Sequence, residues 1–248
     1  MKLNRNAFLI AFSCAIAIAA QAQEHAPRRA KTSSVRLGNK VIVVPDPPGF
    51  EEALSQFPKY KERVLATEGP ENDTLLAHLP VADCNLLRQG AQPNYSFYTK
   101  VSVLRAARDL PTSRGTLAEA AESFRKNAGT YLDPKGPTMK RLITRVEKGL
   151  SELDAKETDV DFTQPQNLGE FDVRPDINSF MLLMTVKVNS GGTEVSFPML
   201  AALSFVRVNE RIIYVYAFKK YRAEADIDEL KQFASKWNSG IVAANNRP

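Results

Sequence analysis

Few residues in this chain could perform covalent chemistry, and the best candidates are a thiol and an imidazole close together in sequence. Among the two Cys and two His of the 248 residues, His78 and Cys84 lie near each other with Asp83 between them. A cysteine nucleophile needs a lowered thiol pKa, a base within hydrogen-bond reach and a group that orients the base. Free cysteines are more often buried as small apolar residues. We therefore interpret Cys84 as a core residue, assign no catalytic residue, and keep a thiol-dependent hydrolase as an alternative.

Three pairs of acidic residues are candidates for general acid–base chemistry. They are Glu51 and Glu52, Asp159 and Asp161, and Asp226 and Asp228. Two catalytic carboxylates must face each other across a substrate and hold different pKa values, which near neighbours in sequence rarely do. We interpret Asp226 and Asp228 as charges at the positive end of a helix and the others as solvated loop charges. A carboxylate-dependent hydrolase remains an alternative.

The composition argues against metal and nucleotide cofactors. A closed zinc site needs four ligands at short spacing, and two Cys and two His do not provide that pattern. The 12 glycines include no loop with the spacing of a phosphate-binding or dinucleotide-binding motif. We therefore predict no metal site and no cofactor.

The most unusual local composition is aromatic and cationic, and it supplies the predicted binding residues. They are Tyr95, Tyr98, Lys100, Tyr214, Tyr216, Lys219, Lys220, Tyr221 and Arg222. Alternating tyrosines share one face of a strand, and the two groups are expected on neighbouring strands. Such a surface could stack on sugars, hold acidic polymers or dock a partner protein. The alternative is that the tyrosines cover a sheet edge and the lysines keep it soluble.

The N-terminal segment has the features of a secretory signal peptide, which we place at residues 1–22. Lys2 and Arg5 precede an apolar run over residues 7–20, and Ala20 and Ala22 form a small-x-small cleavage site. The run is shorter than the roughly twenty residues that cross a bilayer. We predict a periplasmic or secreted protein with no transmembrane segment after cleavage. An uncleaved membrane anchor is the alternative.

The charge balance is too mild to predict a nucleic-acid partner. Removing residues 1–22 lowers the formal net charge from +5 to +3, whereas nucleic-acid binding needs many clustered phosphate contacts. The remaining excess is concentrated in residues 23–38, which we predict to be a disordered basic leader. Cleavage also leaves Cys84 as the only thiol, so no internal disulfide can form.

Apolar periodicity predicts short alternating elements in the first half of the chain. We expect strands at residues 41–44, 74–79 and 95–104, and helices at residues 50–57, 60–66 and 80–88. A capping box at residues 116–119 indicates the start of another helix. Residues 139–153 carry a continuous apolar stripe, which predicts the clearest amphipathic helix.

The C-terminal third predicts a strand-rich meander that ends in a helix. We expect strands at residues 180–188, 193–208 and 211–218, and a helix at residues 225–237. Pro198 cannot donate to a ladder, so it predicts an edge, a bulge or a split in the second strand. Both faces of these strands are apolar, so we expect helices on both faces.

These elements predict a single α+β domain over residues 39–245, a mostly antiparallel sheet with helices packed on it in an α/β/α sandwich-like arrangement. A two-lobed division near residues 154–175 is the alternative. The run Ser204-Phe205-Val206-Arg207-Val208-Asn209-Glu210-Arg211-Ile212-Ile213-Tyr214-Val215-Tyr216, followed by Tyr221-Arg222-Ala223-Glu224 and the helix to Trp237, resembles the PsbP-like α/β/α sandwich proteins. That resemblance implies an accessory or binding role and no common catalytic site.

The sequence therefore predicts an exported bacterial protein that performs no covalent chemistry and binds an unknown protein or envelope component. A carrier for a lipid or other amphiphile, with a cavity between sheet and helix, is the main alternative. A close-packed core would exclude that carrier.

Expression of the full-length chain in a bacterium should yield an exported protein that begins at Gln23. Signal peptidase requires a small residue at the position of Ala22, so Ala22→Lys should block processing. Gln21→Lys, at the variable middle position, should be processed normally. N-terminal sequencing and intact mass measure the outcome, and an unprocessed cytoplasmic product would contradict the prediction.

Overall fold

Bulky apolar residues on both sides of the C-terminal strands require cover on both sheet faces, and this determines the layers of the protein. The computed structural model describes residues 31–69 and 71–246, so the predicted signal peptide lies outside the described residues. The strands are β1 (Thr32–Leu37), β2 (Lys40–Pro45), β3 (Phe50–Glu52), β4 (Asn72–Pro80), β5 (Phe97–Leu104), β6 (Thr158–Phe162), β7 (Gln166–Arg174), β8 (Ile177–Ser190), β9 (Thr193–Val208) and β10 (Arg211–Lys220). The helices are α1 (Pro58–Ala66), α2 (Val81–Arg88), α3 (Arg114–Tyr131), α4 (Pro137–Asp154) and α5 (Ala225–Asn245).

Eight of these strands form one antiparallel sheet, which confirms the predicted α+β class. The order is β3-β4-β5-β10-β9-β8-β6, and β7 also pairs with β8. The long β8–β9 and β9–β10 hairpins make its centre. The second hairpin turns at Asn209 and Glu210, whose φ angles of 48° and 60° are those of a two-residue turn with the right-handed twist of the strands.

Helix α5 covers one face of the sheet together with the separate β1–β2 hairpin. Leu230, Trp237 and Ile241 of α5 are buried, and the last two share a cluster with Val206 and Val215 of the sheet. The hairpin contributes buried residues to the same cluster. The described residues of this layer thus form a continuous buried cluster between α5, the hairpin and the sheet.

The opposite face is covered by the helices α1, α2, α3 and α4. Helix α3 buries Leu117, Ala121 and Phe124 against Phe180 and Phe205 of the central strands. Helices α1 and α4 lie against each other, and α4 also contacts β6 at the sheet edge. The two faces therefore confirm the expectation of helices on both sides.

Polar side chains attach α5 to the β1–β2 hairpin. The Trp237 Nε1–H group donates to the Pro45 carbonyl at 2.8 Å. The Asn245 amide donates to the Val43 carbonyl at 2.7 Å and accepts from the Val43 N–H at 2.9 Å. Asn209 also donates to the Asn245 side chain at 3.2 Å. These bonds satisfy backbone groups that would otherwise lack partners beneath the helix.

The prediction of a disordered leader over residues 23–38 is wrong in its second half. Residues 23–30 lie outside the described residues, but β1 pairs with β2 along its whole length. Arg36 is exposed, whereas Leu37 is fully buried. The segment resembles a tail in composition because it is rich in Ser, Thr and Arg, yet its exposed residues Thr32, Ser34 and Arg36 alternate with more buried ones, which is the pattern of a half-buried strand.

The predicted helix at residues 50–57 is also wrong, because its first residues form β3. The chain then turns, and the Glu52 carboxylate accepts hydrogen bonds from the N–H groups of Leu54 at 2.8 Å and Ser55 at 2.9 Å. Local side-chain bonds of this kind compete with helix propensity.

The capping box of α3 lies three residues earlier than predicted. Ser113 caps the helix and bonds reciprocally with Thr116.

Pro198 neither splits β9 nor makes a bulge in its pairing with β8; of the three predicted alternatives, the edge is observed, because β10 ends beside it. It pairs with Thr185 of β8, and its carbonyl accepts from the Tyr221 N–H at 3.0 Å on the β10 side. The N–H and C=O of a strand residue point to the same side, so an N–H group at position 198 would also point toward β10. It would point beyond Lys220, the last residue of β10. The proline is tolerated because no ladder bond is lost.

The stretch at residues 154–175 contains two strands that the sequence analysis did not identify. Both β6 and β7 pair with β8, one with each half of it. The two-lobed division is therefore wrong for this stretch, which extends the same sheet. Val160 is buried, but charged residues on either side hide the strand pattern.

Asp226 should contribute measurably to the docking of α5. Its carboxylate contacts Lys219 and accepts from the N–H groups of Arg222 and Ala223, and these hydrogen bonds lower its pKa to about 2. We expect Asp226→Asn to lower the free energy of unfolding at neutral pH by about 1–2 kcal/mol. Folding lowers this pKa, so the stabilisation is present above the unfolded value and is lost as the pH falls toward about 2.

Urea denaturation at neutral pH and at successively lower pH values measures this difference. The gap between wild type and Asp226→Asn should narrow as the pH falls below about 4. Asp228→Asn is the matched control, because Asp228 is exposed and its nearest cation, Lys231, is 3.9 Å away. Equal effects of the two substitutions would contradict the prediction.

Candidate functional site

The helices that cover the second face do not fill the space above the sheet. A cleft of about 820 Å³ lies between the strands β4, β5, β10, β9 and β8 and the helices α1, α3 and α4. Protein interiors seldom contain voids larger than a water molecule. The volume falls within the range of roughly 300–1,000 Å³ that is typical of small-molecule sites. This cleft is therefore the candidate functional site.

Stacked aromatic rings form the floor of the cleft. The ring centroids of Tyr98 and Phe218 are 4.8 Å apart, and those of Phe218 and Tyr216 are 5.8 Å apart. Tyr216 and Phe218 lie two residues apart on β10, and Phe218 pairs with Tyr98 of the neighbouring strand β5. Tyr214 follows on the same face and meets Phe205 edge-on at 5.1 Å. The period of two along these strands brings the rings into one row.

The apolar stripe of α4 forms one wall of the cleft. Only Met139 and Gly149 of this helix are buried, although the stripe is continuous in sequence. Leu142 and Val146 line the cleft and are half-buried, and Leu153 is 40% exposed. An amphipathic helix normally buries its stripe against a core. Here, part of the stripe faces open space.

A close backbone approach holds α4 in this position. A Cβ atom at Gly149 would lie 2.5 Å from the Ala66 carbonyl oxygen at the end of α1, so only glycine permits the observed contact. The guanidinium of Arg63 also pairs with Asp154, joining α1 to the end of α4. The width of the cleft therefore depends on how closely these two helices approach.

One buried ion pair lies among the apolar lining. Lys100 Nζ is 2.9 Å from Glu68 Oε2 and 5.0 Å from the centroid of the Tyr216 ring. The Glu68 side chain is 5% exposed and also accepts from the Thr74 hydroxyl. Burial raises the pKa of this carboxyl, but Lys100 and Thr74 outweigh it, so the pKa lies below its usual value. Glu68 is therefore ionised at neutral pH.

The phenols of the cleft are neutral. Burial raises the pKa of Tyr98 to about 12, and burial also raises the pKa values of Tyr214 and Tyr216. A neutral phenol both donates and accepts hydrogen bonds. The floor can therefore form hydrogen bonds without adding charge.

Four of the nine predicted binding residues meet in the cleft. Tyr98, Lys100, Tyr214 and Tyr216 all line it, as the alternation of β5 and β10 predicts. They lie beneath helices instead of on an open surface. The resulting site is concave and largely apolar, which differs from the exposed stacking surface that the sequence suggested.

The remaining five predicted residues lie elsewhere, so the nine do not form one surface. They are Tyr95, Lys219, Lys220, Tyr221 and Arg222. Lys219 and Tyr221 face α5 on the opposite side of the sheet. Lys220 Nζ lies 4.8 Å from the ring of Phe197, and the Tyr95 ring stacks beside α1. Consecutive strand residues alternate between faces, which separates them.

The hypothesis of a Cys–His nucleophilic pair is wrong, because the two side chains lie on opposite faces of the sheet. His78 points toward α5, and its ring meets Trp237 at 5.4 Å. Cys84 is fully buried in a cluster with Leu79 on the other face. Burial, reinforced by the negative charge of Glu51, raises the pKa of the Cys84 thiol to about 11. This environment favours the inert thiol.

The acidic pairs have structural positions. Glu51 and Glu52 are buried at β3, which corrects their assignment as solvated charges: the first pairs with an arginine and the second caps a turn. Asp159 and Asp161 are exposed, but on β6 and not in a loop. Asp226 lies at the start of α5, as predicted. Among residues 31–69 and 71–246, no group of three or more His, Cys, Asp or Glu side chains could hold a metal ion.

Two contributors to the cleft were missed by sequence reasoning. Glu68 follows α1 in a loop, and no periodicity links it to Lys100 on β5. Phe218 does carry a signal, because it continues the alternation of Tyr214 and Tyr216. The amphipathic α4 was predicted correctly, but the sequence did not indicate that its stripe lines a cleft.

The described residues thus define an α+β protein with a cleft on one face of an antiparallel sheet. No family model and no curated protein matches the sequence. Among solved structures, the chain is similar to the Saccharomyces cerevisiae Ran-binding protein Mog1p at 12% identity, over 88% of this chain and 95% of that one, with a TM-score of 0.35. A point mutant of Mog1 matches at 13% identity, over 87% and 94%, with the same TM-score. We infer neither a fold relationship nor a function from scores this low.

The resemblance to PsbP-like proteins stays a prediction. Within the described ranges, no helix is both long enough and apolar enough to cross a membrane.

Gly149→Ala should separate α4 from α1 and thereby alter the cleft. The new methyl group collides with backbone at Ala66, so we expect a loss of about 1–3 kcal/mol in the free energy of unfolding. Gly129→Ala is the matched control, because a Cβ there meets no atom within 4 Å and α3 should gain about 0.5–1 kcal/mol. Thermal denaturation of both variants measures the difference, and a stabilised Gly149→Ala would contradict the predicted contact.

Proposed function

We propose that this chain is a non-enzymatic binding protein that holds one amphiphilic small molecule in the cleft between the sheet and α1, α3 and α4. The observation that carries the proposal is the open, largely apolar cleft of about 820 Å³. Such a volume exposes apolar surface that a ligand would remove from water, at roughly 25 cal/mol per Å². The same surface would otherwise be an unfavourable feature of the fold.

The shape of the site supports a small molecule over a protein partner. The stacked floor and the α4 wall face each other across a concavity, whereas protein interfaces are broad patches with a polar rim. From Lys100 on β5 to Met184 on β8, the floor crosses three strand spacings, or about 14 Å. An extended chain or a flat ring system fits a slot of this form.

The distribution of polar groups supports an amphiphile over a purely apolar ligand. The Glu68–Lys100 pair lies at the β5 side of the cleft, whereas Leu182 and Met184 line it at the β8 side. A ligand with one polar and one apolar end would satisfy both regions. A few polar groups within an apolar lining are typical of sites that orient their ligands.

The proposal includes export, which is supported by the charged, apolar and small-residue regions at the N-terminus of the sequence. Binding would then occur in the periplasm or outside the cell. An amphiphile in an aqueous compartment needs a carrier or a membrane, because its apolar part is poorly soluble. The broader prediction of a binding role for an envelope component is compatible with this ligand class.

Binding of straight-chain alcohols should tighten with chain length until the cleft is full. Each buried methylene contributes about 0.8 kcal/mol, so the dissociation constant should fall about fourfold for each added carbon. Displacement of the fluorescent probe N-phenyl-1-naphthylamine measures these constants. At one hundred times the dissociation constant, a ligand should stabilise the protein by about 2.7 kcal/mol in thermal denaturation.

Val146→Trp should weaken the binding of the probe and of the alcohols, because the indole occupies the cleft. Thr144→Trp is the matched control on the exposed side of the same helix. The proposal fails if the wild type binds no probe saturably, or if both tryptophan variants bind as the wild type does.

A further inference from the structure

The charged groups that line the cleft cancel each other. They are Glu68, Glu71, Lys100 and Arg141. Lys100 pairs with Glu68 at 2.9 Å, and Arg141 pairs with Glu71 at 3.4 Å. The tyrosine phenols of the floor add hydrogen-bonding capacity and no charge. The described lining therefore presents no net charge to an occupant.

The deeper of the two pairs retains an unused hydrogen-bond donor. Lys100 has three N–H donors, of which one bonds to Glu68 and one side faces the Tyr216 ring. Its side chain is 22% exposed, although helices cover this face of the sheet. Glu68 accepts from Lys100, from the Thr74 hydroxyl, from the Gly69 N–H at 3.3 Å and from Asn72, so the roughly four lone-pair sites of its carboxylate are occupied. The pair thus offers a ligand one donor, on Lys100, next to a carboxylate that contributes its charge.

We propose that this pair recognises the polar end of the ligand, and that this end is an uncharged group that accepts a hydrogen bond, such as a hydroxyl. The inference rests on the proposed function of the cleft. The hydroxyl accepts from Lys100, while the apolar part of the ligand crosses β10 and β9 toward Met184.

A charged head group fits this site poorly. Either sign meets one attractive and one repulsive charge only 2.9 Å apart, so the two contributions largely cancel. The cost of removing the head group from water remains, and it is far larger for an ion than for a hydroxyl. Selection against charged analogues follows from the pair itself.

Three ligands of equal chain length test the proposal: dodecan-1-ol, dodecanoate and dodecylammonium. Each displaces N-phenyl-1-naphthylamine from the full chain at neutral pH. We expect the wild type to bind the alcohol about tenfold more tightly than either ion. Tighter binding of an ion, or equal binding of all three, would overturn the inference.

Two single variants should reverse this preference in opposite directions. Glu68→Gln leaves the Lys100 ammonium without its counter-charge, so dodecanoate should become the preferred ligand. Lys100→Met leaves the Glu68 carboxylate, so dodecylammonium should become preferred. Lys219→Met is the matched control, because Lys219 lies on the opposite face of the sheet and its loss should leave the ranking unchanged.

The double variant Glu68→Gln/Lys100→Met tests the same proposal if either single variant fails to fold. It removes both charges, so it should still bind the probe but discriminate less between the alcohol and the ions. If the probe binds and every variant ranks the ligands as the wild type does, the head-group assignment is wrong and the proposed function stands. If the probe binds to no form of the protein, the proposed function itself is wrong.

Discussion

The structure depends on one constraint: a strand with bulky apolar residues on both sides must be covered on both sides. The central strands β8, β9 and β10 have this property, so they cannot lie at a surface. Helix α5 meets the requirement on one face, where its buried residues join those of the sheet and of the β1–β2 hairpin in one cluster. On the other face the requirement is met only in part, because α3 packs tightly over Phe180 and Phe205 whereas α4 leans against α1 and β6. The cleft is the space between that face and its helices which the helices do not fill.

The periodicity of the sequence was sufficient to predict the central hairpins, α4 and α5, because each has a long run of a single period, and the shorter α1 and α2 were predicted as well. It failed where polar or charged residues alternate with apolar residues on short strands. β1 resembled a basic tail, and β6 and β7 resembled a linker, since their buried positions are few. β3 resembled a helix because the turn after it is made by Glu52, a side-chain contact that no periodicity reports.

The candidate site was predictable only in part, for a related reason. Alternation along β5 and β10 correctly placed Tyr98, Lys100, Tyr214 and Tyr216 on one face. The depth of that face was not predictable, because it depends on where α4 lies, and this depends on the contact between Gly149 and Ala66. The carboxylate that pairs with Lys100 could not be predicted either, because Glu68 lies in a loop far from Lys100 in sequence. His78 and Cys84 show the converse: they are close in sequence, but their side chains lie on opposite faces of the sheet.

The amide of Asn245 has a consequence for the protein outside its own fold. The β1–β2 hairpin is separate from the main sheet, so the outer edge of β2 would present free backbone groups to other molecules. Asn245 occupies both groups of Val43, and Asn209 donates to the Val41 carbonyl at 2.7 Å. Two side-chain amides thus take the place of a missing neighbour strand. An edge occupied in this way offers no template for intermolecular strand addition, so this rim of the hairpin is protected against self-association at high concentration.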